Sequence, residues 1–164
     1  MALKAAVLMG SDSDLPKIQK CIDTLRQLGI ETTVRVMSAH RTPEIVCDFA
    51  EQAASNGYGV LIAAAGGAAH LAGAVAAHTL LPVIGIPIKS STLDGLDALL
   101  STVQMPSGIP VATVAIDGAQ NAALLAAQIL AVEDAALSDR LIALRQEARQ
   151  KVLEKDRAIA EKLR

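Results

Sequence analysis

The 164-residue sequence predicts an α/β protein built on a parallel sheet, and three observations carry that expectation. Short apolar segments alternate with segments of helical periodicity at the spacing of βαβ units. The first apolar segment is continuous rather than alternating, as in a strand covered on both faces. The distinctive polar residues fall between the end of an apolar run and the next helix, and right-handed crossovers gather those positions on one edge of a sheet.

Residues 3–9 form the first apolar run, broken by Gly10-Ser11-Asp12-Ser13-Asp14. A helix is expected from about Leu15 to Leu28, with Pro16 in its first turn, where a missing N–H does no harm, and Gly29 as its stop. Ile18, Cys21, Ile22, Leu25 and Leu28 give this helix one apolar face. The second strand, 30–37, places Ile30, Thr32, Val34 and Val36 on one side. It runs into Ser38-Ala39-His40-Arg41-Thr42-Pro43, where Thr42 is expected to cap a helix over 43–56 that Gly57 ends.

The third strand, 60–65, leads into Gly66-Gly67-Ala68-Ala69-His70, and 69–79 reads as a helix of very small residues. A fourth strand, 82–86, is followed by the polar residues Lys89-Ser90-Ser91. A short helix over 95–102 and a loop at 104–108 precede a fifth strand, 111–116, and a helix over 121–132. With no internal repeat and no low-complexity segment, residues 1–164 are read as a single domain. The tail, about 134–164, carries Leu137, Leu141, Leu144, Ala148 and Val152 at helical spacing. A helix this long overshoots a compact domain, so its stripe is expected to lie on a neighbouring subunit; the alternative is that it folds back onto its own sheet.

Composition narrows the function. The chain is 52% hydrophobic, yet Phe49 and Tyr58 are its only aromatic residues apart from histidine, so aliphatic side chains and alanine fill the core and little is available to stack on a flavin. A net charge of −2, without a basic stripe, argues against a nucleic-acid partner. Cys21 and Cys47 form no CxxC pair and are read as reduced core thiols of a cytoplasmic protein. Neither a signal peptide nor a membrane-spanning run is expected.

The loop holding His40 and Arg41 joins a strand's C-terminal end to a helix N-terminus, a place that attracts anions. A titratable imidazole beside a permanent cation fits proton transfer on an anionic substrate. In the first loop, Ser11 and Ser13 can hold a phosphate and Asp14 can accept from sugar hydroxyls, although helix capping explains the same residues. Asp12 with Asp14 raises the thought of a Mg²⁺ site in a receiver domain, but the third strand ends Ala64-Ala65-Gly66-Gly67, without the Asp such a domain needs. The glycine-rich loop is no GxGxxG fingerprint; its backbone N–H groups suit a carboxylate or a CO2-sized fragment. His70 is either a second polar contact there or a structural histidine on a backbone carbonyl, and His78 is placed to favour a helix C-terminus. Lys89-Ser90-Ser91 and Gln104-Met105-Pro106 are read as flanking walls. Without a nucleophile motif or a Cys/His metal cluster, the simplest enzyme is a metal-free one run by His40.

Taken together, Gly10-Ser11-Asp12-Ser13-Asp14, Ser38 to Pro43, Ala65-Gly66-Gly67-Ala68-Ala69-His70-Leu71 and Val103-Gln104-Met105-Pro106 resemble the PurE family, the N5-carboxyaminoimidazole ribonucleotide mutases of de novo purine synthesis. The likeness spans essentially the whole chain. It implies a flavodoxin-like three-layer α/β/α sandwich with a parallel sheet and a long C-terminal helix, assembled as a homo-octamer. It also implies an isomerase that needs neither cofactor nor metal, moving a carboxylate from the exocyclic nitrogen to ring carbon C4 through a retained CO2. His40 matches the family's general acid/base. Ser11, Asp14 and Arg41 match its ribose phosphate contacts, with Ser13 and Ser38 nearby in the substrate-binding loops, and Gly66, Gly67, Ala68, His70 and Leu71 match the loop over the carboxylate. The chain departs from the family at Leu15, where a Trp is usual, at Ala72-Gly73-Ala74, where Pro-Gly-Met is usual, and in a shorter segment at 116–120. Two other readings compete: a CO2-dependent aminoimidazole ribonucleotide carboxylase, and a non-catalytic phosphate- or nucleotide-binding module.

Overall fold

In the computed structural model, which describes residues 4–163, five strands lie parallel in the order β2-β1-β3-β4-β5. They are β1 (Lys4–Met9), β2 (Glu31–Val36), β3 (Val60–Gly66), β4 (Val83–Ile88) and β5 (Ala112–Thr113). The helices are α1 (Leu15–Gln27), α2 (Pro43–Gln52), α3 (Leu71–Ala77), α4 (Leu96–Val103), α5 (Ala119–Leu130) and α6 (Ala135–Lys162).

The continuous apolarity of β1 has the cause inferred from sequence, and β3 and β4 share it, because the sheet separates two cores. Ala5, Val7, Met9, Ile62, Ile84 and Ile86 face α1 and α5, where Ile18, Cys21, Leu25, Ala122, Ala123 and Ala126 close against them. Ala6, Leu8, Leu61, Ala63 and Val83 face the other way, onto Val46 and Ala50 of α2 and Leu71, Ala72 and Val75 of α3. The many alanines let helices settle close to the strands. β2 is an edge strand; Val36 is 53% exposed, whereas Ile30 at its start is buried.

Most boundaries shift by one or two residues from the sequence expectation, and two boundaries and one cap differ for a visible physical reason. α2 stops at Gln52 rather than at residue 56. The Ser55 hydroxyl takes the Gln52 carbonyl at 2.8 Å, and Gly57 turns the chain at φ +81° so that Tyr58 N–H bonds the Ala53 carbonyl. β5 pairs over two residues only, although Val114 N–H still reaches the Gly85 carbonyl and Asp117 N–H the Pro87 carbonyl. Pro110 lacks a donor and Asp117 adopts φ +55°, so the chain runs beside β4 without forming a regular ladder. Thr42 sits at the N-cap of α2 but does not cap it; its hydroxyl bonds the backbone N–H and carbonyl of Ser38 instead.

α6 begins on an Asp134 cap, whose carboxylate accepts from Leu137 N–H at 2.7 Å. Leu137 is buried and Leu141 packs on the same core, so the first turns of α6 do lie on their own domain. Farther along, Val152 and Ile159 are more than half exposed. The 28 residues extend roughly 42 Å, well past the sheet. Among the described residues, no helix is long and apolar enough to cross a membrane.

Candidate active site

From β1 the chain first moves outward to β2 and then returns to β3 on the opposite side. The loops after these three strands therefore leave the sheet edge in diverging directions and open a crevice between them. That crevice, of about 260 Å³, is lined by Gly10, Ser11, Ser13 and Asp14 from the first loop, by Ser38, Ala39, His40 and Arg41 from the second, and by Ala65, Gly66, Ala68 and Leu71 after β3. Nine of the eleven sequence-predicted site residues line it. Of the other two, Gly67 turns the third loop at φ +59°, and His70 approaches His40. Gly10, Ala39 and Ala65 were not singled out, since small residues beside a motif carry no chemical signal of their own.

Each loop is held by its own short-range bonds. Ser11 starts a 3-10 turn, Asp12–Asp14, its oxygen accepting from Ser13 N–H at 3.3 Å and from the Ser13 hydroxyl at 2.8 Å. In the second loop the Ser38 hydroxyl oxygen accepts from the N–H groups of His40 and Arg41, at 3.3 and 3.2 Å, and lies 3.5 Å from Arg41 Nε. Ser38 thereby fixes the backbone of both His40 and Arg41. In the third loop, a Cβ on Gly66 would stand 3.2 Å from the Ile88 carbonyl oxygen, so glycine lets the backbone pass close to β4.

His40 Nε2 and His70 Nδ1 are 2.7 Å apart, with the rings nearly perpendicular. Two imidazole nitrogens at that distance share one proton, one donating and the other accepting. His70 is thus bonded to a side chain of the second loop rather than to a backbone carbonyl. Thirty positions separate the two residues, so only the parallel pairing of β1 with both β2 and β3 brings them together.

The loop after β4 and the 104–108 loop contribute no residue to the crevice lining. Ser90 is bonded to Asp97, the Lys89 ammonium to Asp94 and the Lys89 carbonyl to the Lys17 ammonium. Met105 covers α3, where a Cβ on Gly73 would meet its sulfur at 3.1 Å. The departures from the PurE pattern are also outside the lining: Leu15 is exposed, Ala72 is buried in the second core, and Ala74 packs against that core. A larger hollow of about 460 Å³ lies between α2 and the outer edge of the sheet, around Lys4, Arg35 and Tyr58, and contains none of the three loops' residues.

Burial raises the Asp14 carboxyl above its ordinary value of 3.8; Lys17 opposes the rise, while Asp117 and Asp12 add to it. Asp117 was noted from sequence only as part of a shortened segment, and its carboxylate also accepts from Lys89 N–H at 2.9 Å. A raised pKa means that the fold binds the Asp14 proton more tightly than the unfolded chain does. The resulting stabilisation is complete below the ordinary value and is lost as pH rises through the raised one. At neutral pH the ionised Asp14 therefore weakens the fold. Asp14→Asn is expected to raise Tm by about 1–2 °C at pH 7 and to make no difference below about pH 4, by calorimetry at the two pH values. An equal effect at both would refute this electrostatic account.

Residues 4–151 match the family model described as AIR carboxylase. The chain is 56% identical over 151 residues to the N5-carboxyaminoimidazole ribonucleotide mutase of Haemophilus influenzae, covering 91% of this chain and 92% of that protein. It is 51% identical over 155 residues to the enzyme of the same name from Pyrococcus horikoshii, covering 94% and 88%. The crystal structure of Treponema denticola PurE superposes with a TM-score of 0.85 at 33% identity, covering 93% of this chain and 96% of that one.

Proposed function

This chain belongs to the AIR carboxylase family, and from that premise we propose that it is the N5-carboxyaminoimidazole ribonucleotide mutase of purine synthesis, an isomerase. Relatives bearing that name at about half identity over most of the chain support the activity. The observation that carries the mechanism is His40 in the lining of a crevice it shares with the Arg41 cation, Gly66 and Ala68.

In this reading the ribose phosphate lies along the first two loops, with the phosphate toward Arg41 and the Ser11, Ser13 and Ser38 hydroxyls. Asp14 accepts from the sugar. The carboxylate end lies under residues 66–71, where Gly67 and Ala68 present backbone N–H groups and Leu71 excludes water. The C–N bond of the carbamate breaks as His40 delivers a proton toward the departing nitrogen, and CO2 is released into the crevice. Ring carbon C4 attacks that CO2, and His40, now the base, removes the C4 proton. Proton count and charge balance, so the step needs neither cofactor nor metal.

His70 faces the working imidazole at hydrogen-bond distance and supplies a partner for its proton between the two half-steps. Retaining CO2 beside its acceptor gives recombination the advantage of an intramolecular reaction. The small side chains of the third loop suit that task, since they let the backbone close on a three-atom molecule.

The same fold can serve a carboxylase that takes free CO2, which the family description itself names. The two activities separate in one assay. The mutase converts the N-carboxylated ribonucleotide in buffer stripped of bicarbonate, whereas a carboxylase acts on the uncarboxylated ribonucleotide only when bicarbonate is added. A chain that binds both ribonucleotides and turns over neither is a binding module, and the proposal fails.

We read the chain as one cytoplasmic domain whose α6 extends onto a neighbouring copy in a homo-octamer. Exposed Ile142, Val152 and Ile159 on a helix that outruns its own sheet support that assembly. A single-chain molar mass by light scattering would refute it.

A further inference from the structure

Away from the crevice, α2 and α3 pack against each other and bring three reactive side chains into line. Cys47 and Glu51 lie one turn apart on α2, and His78 is the C-cap residue of α3. His78 Nδ1 is 3.1 Å from a Glu51 carboxylate oxygen, and His78 Nε2 is 3.2 Å from Cys47 Sγ.

The roles follow from donor and acceptor inventory. A carboxylate only accepts, so Nδ1 carries the proton that bonds Glu51. In the neutral ring, Nε2 then presents its lone pair to sulfur, and the thiol is the group that donates on that line. This is the arrangement of a nucleophile, a base and a residue that orients the base. Once the imidazole takes the thiol proton, its positive charge faces the Glu51 carboxylate. Cys47 is half-buried rather than sealed in the core as sequence led us to expect. Glu51 and His78 border an open hollow of about 520 Å³ whose wall includes the fully exposed Leu80.

Cys21 supplies the contrast within the same molecule. It is buried between α1 and the opposite face of the sheet, and burial pushes its thiol up to about 12. The sheet separates the two cysteines, so Cys21 cannot form a disulfide with Cys47 without disrupting the fold.

We propose that Cys47, His78 and Glu51 form a peroxide-reactive thiol site, separate from the isomerase crevice. The Cys47 proton passes to His78 Nε2. The sulfur attacks one oxygen of a hydroperoxide and the O–O bond breaks. The departing hydroxide or alkoxide takes the proton from His78 and leaves as water or alcohol. Sulfur is oxidised by two electrons to the sulfenic acid as the peroxide is reduced by two. One external thiol condenses with the sulfenic acid to a mixed disulfide and water, and a second attacks that disulfide, releasing the Cys47 thiol and leaving as the external disulfide.

The test uses the full chain with hydrogen peroxide and dimedone, read by peptide mass spectrometry. A dimedone adduct is expected on Cys47 and none on Cys21, with none on Cys47→Ser. Rates measured with iodoacetamide probe the base directly. Cys47 is expected to alkylate ~10-fold faster than a cysteine in an unstructured peptide at the same pH, and His78→Gln to remove that advantage. Glu51→Gln is expected to slow the reaction less, by ~3-fold, because it leaves the base but weakens its orientation. The proposal is overturned if peroxide leaves no trappable Cys47, or if Cys47 alkylates at the peptide's rate. It is also overturned if His78→Gln, melting as wild type does, reacts as fast as wild type.

Discussion

Replacing His40 by asparagine is expected to lower kcat by ~10³-fold or more while changing the ribonucleotide Kd by less than about threefold. Asparagine keeps a polar group at about the Nδ1 position but does not reach Nε2, and the second loop keeps its shape through the Ser38 hydroxyl bonds to the two backbone N–H groups. What it lacks is a group that gives and regains a proton near neutral pH. Both half-steps of the proposed reaction need that exchange, so removing it should affect turnover rather than binding. Arg41, Ser11 and Ser13, which the reading assigns to the phosphate, are untouched. The check is isomerisation kinetics beside equilibrium binding of the ribonucleotide. A variant within tenfold of the wild-type kcat would dismiss His40 as the acid/base, and a Kd raised in parallel with the lost rate would make it a binding residue.

Gly85→Ala is expected to destabilise the fold by ~2–3 kcal/mol and to lower Tm by ~5–10 °C. Gly85 lies on β4, paired with β3 on one side and β5 on the other. Its missing side chain would project toward α3 and α4. A Cβ there would stand 2.4 Å from the Thr102 methyl, 3.1 Å from Val111 Cγ1 and 3.3 Å from Ala72 Cβ. Thr102 is buried and its hydroxyl is tied to the Ala98 carbonyl at 2.7 Å, so turning the side chain away breaks a bond in a closed site. The remaining response is for α4 to move off the sheet, which loosens the packing around Ala98. A calorimetric melt decides the matter, and a Tm equal to wild type would show that α4 yields without cost. The position lies outside the crevice, so kinetics measured well below the new Tm should be unchanged.

Fold class was legible because it depends on patterns that survive without tertiary information. Continuous apolar runs mark β1, β3 and β4, since a strand covered on both faces admits no polar alternation. The apolar face of α1 could be read residue by residue, and Ile18, Cys21, Ile22, Leu25 and Leu28 are all buried. The loops at 10–14, 38–43 and 66–71 stand out as polar or glycine-rich breaks, which is why the crevice lining was largely named in advance. Boundaries set by single side chains were harder to see. The end of α2 depends on the Ser55 hydroxyl competing for a helix carbonyl, and the brevity of β5 on Pro110 and the backbone of Asp117.

The chain by itself therefore determined the βαβ alternation, the two-faced burial of β1 and the identity of the three loops, all consequences of local pattern. Only the tertiary structure decided which loops meet. The strand order places β2 and β3 on either side of β1, bringing His70 against His40 and leaving Lys89 and Met105 outside. It also turned Cys47 from an expected core thiol into one aligned with His78 and Glu51, because the packing of α2 on α3 sets that register. α6 divides in the same way: periodicity announced its stripe, but contact with α5 selects Leu137 and Leu141 for the chain's own core and leaves Val152 and Ile159 exposed. Periodicity reports which residues share a face; what that face meets depends on distances between segments remote in sequence, and those exist only in the folded chain.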